Sequence, residues 1–357
     1  MKYYRSRAPL RISFAGGGTD VSPYADERGG LVLNATIDKY AYATLRETGT
    51  PQITIESLDY QMIQKFDLDQ PLVYDGQLDL VKAAIRRLNG QDKNHAGGSE
   101  QINHLYGRGF ELLLHTDAPP GSGLGSSSAL VVAIIGAFNQ WLHLPLTTYE
   151  IAAMAYQIER VDLGIKGGRQ DQFAAAFGGF NLMEFFGDHV VVNPLQIPSA
   201  TLNELQYCLM LFYTGGTRLS ARILDRQTEG YVQRRRQVVA AMDEVKRLTI
   251  ETKNALLQGR LGVFGKLLHE SWESKKKMAD SITNPHIDEL YSEARRLGAL
   301  GGKISGAGGG GYMFLFCPEK SQSAISECLE SMGSERVSFN FELTGLQTWE
   351  MDYSADE

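Results

Sequence analysis

Cysteine is scarce in this 357-residue chain: only Cys208, Cys317 and Cys328 occur, none in a C-x-x-C pair. So few thiols, odd in number, exclude a closed disulfide framework and make a reducing cytoplasm the expected setting. Long apolar runs are missing too. No stretch approaches the ~20 residues of a membrane span, and Met1-Lys2-Tyr3-Tyr4-Arg5 leads into charged, strand-like sequence instead of a signal core, so no membrane partner is expected. Positive charge is not in excess: 35 Lys and Arg stand against 42 Asp and Glu, a net charge of -7. That balance gives no general attraction to nucleic acid, and any anionic ligand must be held by a local cluster. The seven histidines, 95, 104, 115, 143, 189, 269 and 286, show no metal-ligand spacing, so no zinc site is expected.

What is present is ordinary globular composition, 43% hydrophobic and 22% charged, in a chain longer than one core usually serves. Residues 31–46 and 52–56 are rich in β-branched and aromatic residues and read as strands. Leu78 to Leu88 carries helix-spaced apolar residues, and the Gly/Asn/Asp-rich stretch 89–100 reads as a loop. A compact strand, Phe110 to His115, precedes a Gly/Ser loop and a long apolar helix from Ser126 to Trp141. Thr147 and Glu150 stand at capping-box spacing ahead of a second helix that Gly164 can close. Beyond the strand-like Tyr207 to Tyr213, the chain turns helical and charged over 218–300, then returns to strands at Tyr312 to Cys317 and Arg336 to Phe341, flanking a helix over Ser321 to Met332. This order predicts an α+β protein of two domains, 1–200 and 201–357, divided near 195–205.

The string Pro119-Pro120-Gly121-Ser122-Gly123-Leu124-Gly125-Ser126-Ser127-Ser128-Ala129 combines close backbone approach with the free N–H groups and positive dipole end of the following helix. Such an arrangement attracts phosphate. It lacks the Lys-Ser/Thr ending of a Walker A loop, so a further cation must come from elsewhere, with Mg²⁺ on a serine hydroxyl the expectation. For glycine and serine content alone, a tight turn capping a buried helix is the plainer reading.

The full string resembles the second signature of the GHMP kinases, the family of galactokinase, homoserine kinase, mevalonate kinase and phosphomevalonate kinase. Arg7-Ala8-Pro9-Leu10-Arg11-Ile12-Ser13-Phe14-Ala15-Gly16-Gly17-Gly18-Thr19-Asp20 is similar to the first signature, and Gly302-Lys303-Ile304-Ser305-Gly306-Ala307-Gly308-Gly309-Gly310-Gly311 to the third. The resemblance implies a two-domain GHMP kinase fold, with a ribosomal-protein-S5-like N-terminal domain and a ferredoxin-like C-terminal domain. It implies ATP bound on Pro120, Gly121, Ser122, Gly123, Leu124, Gly125, Ser126, Ser127 and Ser128. Mg²⁺ would be held by Ser127 and Glu159, with Ser126 or Ser128 as alternatives to Ser127. Without the resemblance, Glu159 reads as a glutamate salt-bridged to a neighbour such as Arg160.

Asp171, in Gly167-Gly168-Arg169-Gln170-Asp171-Gln172, is similar to the family's catalytic aspartate and is expected to take or orient the acceptor's proton, with Arg11 stabilising developing negative charge. A structural ion pair between the two is the competing reading. The Gly16-Gly17-Gly18-Thr19-Asp20 form is more similar to the heptose-phosphate kinase and fucokinase branches. It implies acceptor contacts from Gly17, Gly18, Thr19, Asp20, Gly168, Arg169, Arg218 and Gly308, with Arg169 suited to a phosphate. Thr217, Arg28 and Lys39 are further candidates for phosphate contact. The acceptor so implied is D-glycero-D-manno-heptose 7-phosphate, phosphorylated on its anomeric C1 hydroxyl. An L-fucokinase-like sugar 1-kinase and a non-catalytic sugar sensor on the same fold are the rival readings, and a homodimer is compatible with all three.

Overall fold

The computed structural model describes residues 1–90, 105, 107–216 and 220–353. Its strands are β1 (Lys2–Ala15), β2 (Gly30–Thr48), β3 (Gln52–Ser57), β4 (Met62–Asp67), β5 (Gly109–Thr116), β6 (Phe180–Phe186), β7 (His189–Pro194), β8 (Leu209–Tyr213), β9 (Gly301–Ile304), β10 (Tyr312–Phe316), β11 (Glu335–Val337) and β12 (Gln347–Asp352). They form two sheets. The larger runs β12-β1-β2-β5-β3-β4, with β6 and β7 joined to β2, and its pairings are antiparallel except β3 with β5. The smaller is antiparallel, in the order β11-β8-β10-β9.

Helix Ser126–Leu142 packs on β1 and β2, and it is apolar on nearly every side because it is enclosed on nearly every side: Val131, Val132, Ile134, Ile135 and Phe138 are fully buried. Each such side chain contributes about 1.5–3 kcal/mol on leaving water, and together they fix the start of this helix over the sheet. The smaller sheet has a separate core, in which Phe212, Trp272, Leu290, Ile304 and Ile325 are buried against the helices of 236–331. Register shifts in the β1–β2 ladder fall between Pro9 and Leu10 and between Ser13 and Ala15, on either side of Arg11.

The capping box of Thr147 and Glu150 forms, with the Thr147 side chain accepting from the Glu150 N–H. Four expectations change. Tyr207 and Cys208 end helix Ser199–Cys208, so the strand begins only at Leu209. The helical stretch expected over 218–300 is broken at Arg234, which has φ 51°, and Arg235 caps the next helix, Arg236–Leu257. Between Val337 and Gln347 the chain is irregular and touches the larger sheet through an Ile37–Phe341 bridge. The helix that begins at Thr148 does end at Leu163 before Gly164, which has φ 62°, but from Gln157 to Asp162 its last turn is π-helical instead of α-helical. Finally, β12 returns to the larger sheet and pairs with β1.

Candidate active site

At the end of β5 the chain turns through Gly121, Gly123 and Gly125, all with positive φ, before helix Ser126–Leu142 begins. A Cβ on Gly123 would lie 2.5 Å from the Ser305 carbonyl oxygen, and one on Gly311 would lie 2.1 Å from that of Ser122. Glycine is therefore required where the two glycine-rich loops meet backbone to backbone. The Tyr312 N–H donates to the Ser122 carbonyl at 3.1 Å, and the Arg11 N–H to the Leu124 carbonyl at 2.9 Å, so both sheets brace the loop.

Beside the loop lies a cleft of about 430 Å³ that takes in Gly121, Gly123, Gly125, Ser126 and Ser127 from it, and Arg11, Gly18, Asp20, Gly168 and Asp171 from elsewhere. The other loop residues do not all face it. Ser122, Leu124 and Ser128 are buried, and Pro120 lines an adjoining cavity with Tyr60, Met62, Leu80 and Val81. Tyr60, Leu80, Ser126 and Ser127 belong to both spaces, which makes them one continuous groove with an apolar end.

Three carboxylates stand in this region, Asp171, Glu159 and Asp20. Asp171, in the first turn of helix Gln170–Phe177, accepts from Arg11 Nε at 2.8 Å and pairs with Arg11 Nη2 at 2.6 Å. Arg11 is buried and also donates to the Gly123 carbonyl and, at 3.3 Å, to the Ser305 hydroxyl, so its guanidinium is fixed by both loops. Asp171 keeps 22% of its side chain exposed, towards the cleft. Glu159, on the π-helical turn, is fully buried. It accepts from Ser127 Oγ at 3.1 Å, from Ser128 Oγ at 2.6 Å and from the Gln172 amide, with Arg160 at 3.6 Å. A buried carboxylate beside two hydroxyls is an all-oxygen donor set of the kind Mg²⁺ takes, completed by phosphate oxygens and water. Among the described residues no group of three or more His, Cys, Asp or Glu could hold a metal by itself.

Asp20 is buried and accepts from the Gly18 N–H at 3.0 Å and from Gln170 Nε2 at 3.2 Å. Gly168 presses on it so closely that a Cβ would lie 1.9 Å from its Oδ2. Thr19 serves the fold, donating to the Gly16 carbonyl at 2.8 Å, and Gly308 packs against the Ile282 carbonyl. Arg169 is not brought to Asp171. Its guanidinium turns to Asp26 at 3.2 Å and to the Gly187 carbonyl, and lies over the Tyr156 ring. Arg28 pairs with Asp243 at 2.9 Å. Thr217 and Arg218 lie outside the described residues.

One cleft residue to which no sequence motif points is Lys275. It lines the cleft, is buried, and donates to the Gly306 carbonyl at 2.6 Å, while a Cβ on Gly17 would lie 3.4 Å from its ammonium. Burial pulls its pKa down to about 8, against the opposing pull of Asp20 and Asp171. Lys303, buried behind it, is lowered by the same desolvation and by Lys275 itself. In sequence, Lys275-Lys276-Lys277 is an undifferentiated basic run, and only the depth of the first marks it out.

Residues 79–179 match the GHMP kinases N terminal domain and residues 252–335 the GHMP kinases C terminal family. Taken with the relatives below, these matches make the chain a member of the GHMP kinase family, and hence an ATP-dependent phosphotransferase. It is 39% identical to the D-glycero-alpha-D-manno-heptose 7-phosphate kinase of Campylobacter jejuni, over 98% of this chain and 99% of that one. The crystal structure of a D-glycero-D-manno-heptose 1-phosphate kinase from Bacteroides thetaiotaomicron superposes with a TM-score of 0.79 at 37% identity, covering 98% of this chain and 100% of that one. An L-fucokinase/L-fucose-1-P guanylyltransferase of Bacteroides fragilis is 31% identical over 89% of this chain but only 35% of its own length. Among the described residues no helix is long and apolar enough to cross a membrane.

Proposed function

We propose that the chain transfers the γ-phosphoryl group of ATP to the anomeric C1 hydroxyl of D-glycero-D-manno-heptose 7-phosphate, giving the 1,7-bisphosphate and ADP. The observation that carries the reading is the Arg11–Asp171 pair, opening on a cleft walled by the Gly121–Ser127 loop. Full-length similarity to the Campylobacter jejuni kinase supports the choice of acceptor. The adenine occupies the apolar end of the groove near Tyr60 and Leu80, and the phosphates lie along the glycines to the start of the helix. Ser127 and Glu159 would hold Mg²⁺, which neutralises charge on the phosphate oxygens when bound.

The acceptor oxygen forms its bond to the γ-phosphorus as the bond from that phosphorus to the ADP oxygen breaks, and the hydroxyl proton passes to the Asp171 carboxylate. Arg11 orients that carboxylate by placing both Nε and Nη2 on its Oδ1, while Asp20 accepts from a sugar hydroxyl. The three free thiols fit a reducing cytoplasm. An acceptor screen with ATP and Mg²⁺ tests the proposal, comparing the heptose 7-phosphate, the free heptose and L-fucose, with the product read by phosphorus NMR. A C1-phosphorylated bisphosphate is expected from the first, and equal use of all three would overturn the acceptor assignment.

A further inference from the structure

Next to the Asp171 cleft lies a second, polar cavity of about 260 Å³. Asp20, Arg160, Lys166 and Gly167 line both spaces, so the two are continuous around the loop Gly164-Ile165-Lys166-Gly167-Gly168. This loop is pinned at its base. A Cβ on Gly167 would lie 2.3 Å from Arg160 Cζ, Arg160 Nε donates to the Gly168 carbonyl at 3.2 Å, and Gly168 rests on Asp20. Three cations, Arg160, Lys166 and Arg169, and two carboxylates, Asp20 and Asp225, line the second cavity. Two of the cations are already engaged, Arg160 with Glu159 at 3.6 Å and Arg169 with Asp26 at 3.2 Å. Lys166 is exposed and carries no ion pair among the described residues. A free ammonium backed by two held guanidiniums, in a cavity opening onto the reacting centre, has the chemistry of a phosphate site.

We infer that this second cavity binds a phosphate group that the acceptor already carries, with Lys166, its one cation without an ion pair among the described residues, as the residue that selects for it. The inference rests on the proposed sugar-phosphate acceptor and specifies where its far end sits. With the phosphate seated against Lys166, the other end of the sugar extends past Asp20 into the space beside Asp171.

Steady-state kinetics of the full chain with sugar 7-phosphate and with the same sugar unphosphorylated test this, in wild type and in Lys166→Ala, Lys166→Arg and Lys166→Glu. The Lys166 side chain is exposed, so these variants are expected to fold. The ratio of kcat/KM for the phosphorylated over the free sugar is expected to fall roughly ten- to hundred-fold in Lys166→Ala, further in Lys166→Glu, and to recover largely in Lys166→Arg. Inorganic phosphate is expected to compete with the phosphorylated sugar in wild type and far less in Lys166→Ala. A wild-type preference for the 7-phosphate that survives undiminished in Lys166→Ala would overturn the subsite alone. A rise in the KM for ATP with the acceptor ratio unchanged would do the same by moving Lys166 to the nucleotide. No wild-type preference at all would overturn the subsite together with the acceptor assignment.

Discussion

Asp171 and Glu159 lie on either side of one glycine-serine loop, and their surroundings differ. Asp171 has a single strong partner, the Arg11 guanidinium, and retains a face towards the cleft. Glu159 has no exposed surface, and its oxygens are taken up by Ser127, Ser128 and Gln172. The first arrangement leaves a carboxylate oriented and open, fit to receive a proton. The second turns a carboxylate into an anchor whose hydroxyl neighbours it positions. The same functional group thus meets two environments, which differ in how many of its lone pairs the fold has already engaged.

The contrast breaks most sharply at Asp171. Replacing it with Asn keeps the shape but removes proton acceptance, and kcat is expected to fall by roughly 10²–10⁴ while nucleotide affinity holds, read by steady-state kinetics and calorimetric titration. Near-normal turnover would return the Arg11–Asp171 pair to a structural role. Glu159→Gln tests the other side. The Mg²⁺ concentration for half-maximal rate is expected to rise about ten-fold or more, and stability to drop by about 1–3 kcal/mol as buried hydroxyls lose their acceptor, seen in metal titration and denaturant unfolding.

Lys275 sharpens the comparison because it is a buried charge facing both Asp20 and Asp171. Its folded pKa of about 8 lies below a lysine's ordinary 10.5, so below pH 8 both folded and unfolded chains hold the proton and the burial cost is fully present. Between about 8 and 10.5 only the unfolded chain holds it, and this residue's contribution to stability rises with pH. Thermal unfolding of wild type and Lys275→Met across that window is expected to move in favour of wild type as pH rises. The smallest effect is expected at Arg28→Ala, which removes an exposed pair with Asp243: Tm and the acceptor KM should stay close to wild type, and a large KM change would bring Arg28 back as a phosphate contact.

Local chemistry was legible in the sequence where it acts over a few residues. The Thr147–Glu150 cap, the helix start at Ser126 and the glycine turns all depend on neighbours within four positions, and the structure has them where the spacing predicted. The meeting of Arg11 with Asp171, and of Ser127 with Glu159, was reached through family resemblance, since no periodicity relates residues so far apart. What stayed hidden depends on direction or depth. Arg169 sits two residues before Asp171, yet its side chain leaves the other way, towards Asp26. Nothing local separates buried Lys275 from its two lysine neighbours. The π-helical turn at Gln157–Asp162 shifts side-chain phase within an otherwise helical run, a change that apolar spacing does not record.

The seam between the two glycine-rich loops has a bearing on how this chain can be cut. Ser122 and Gly123 lean on Ser305, Gly311 and Tyr312, and the last strand, β12, covers the edge of β1. An N-terminal fragment stopping near residue 200 would lose both supports at once, leaving the glycine-serine loop unbraced and a long sheet edge bare. A split version would have to be made from two co-expressed pieces that reassemble, and nucleotide capture would report their reunion.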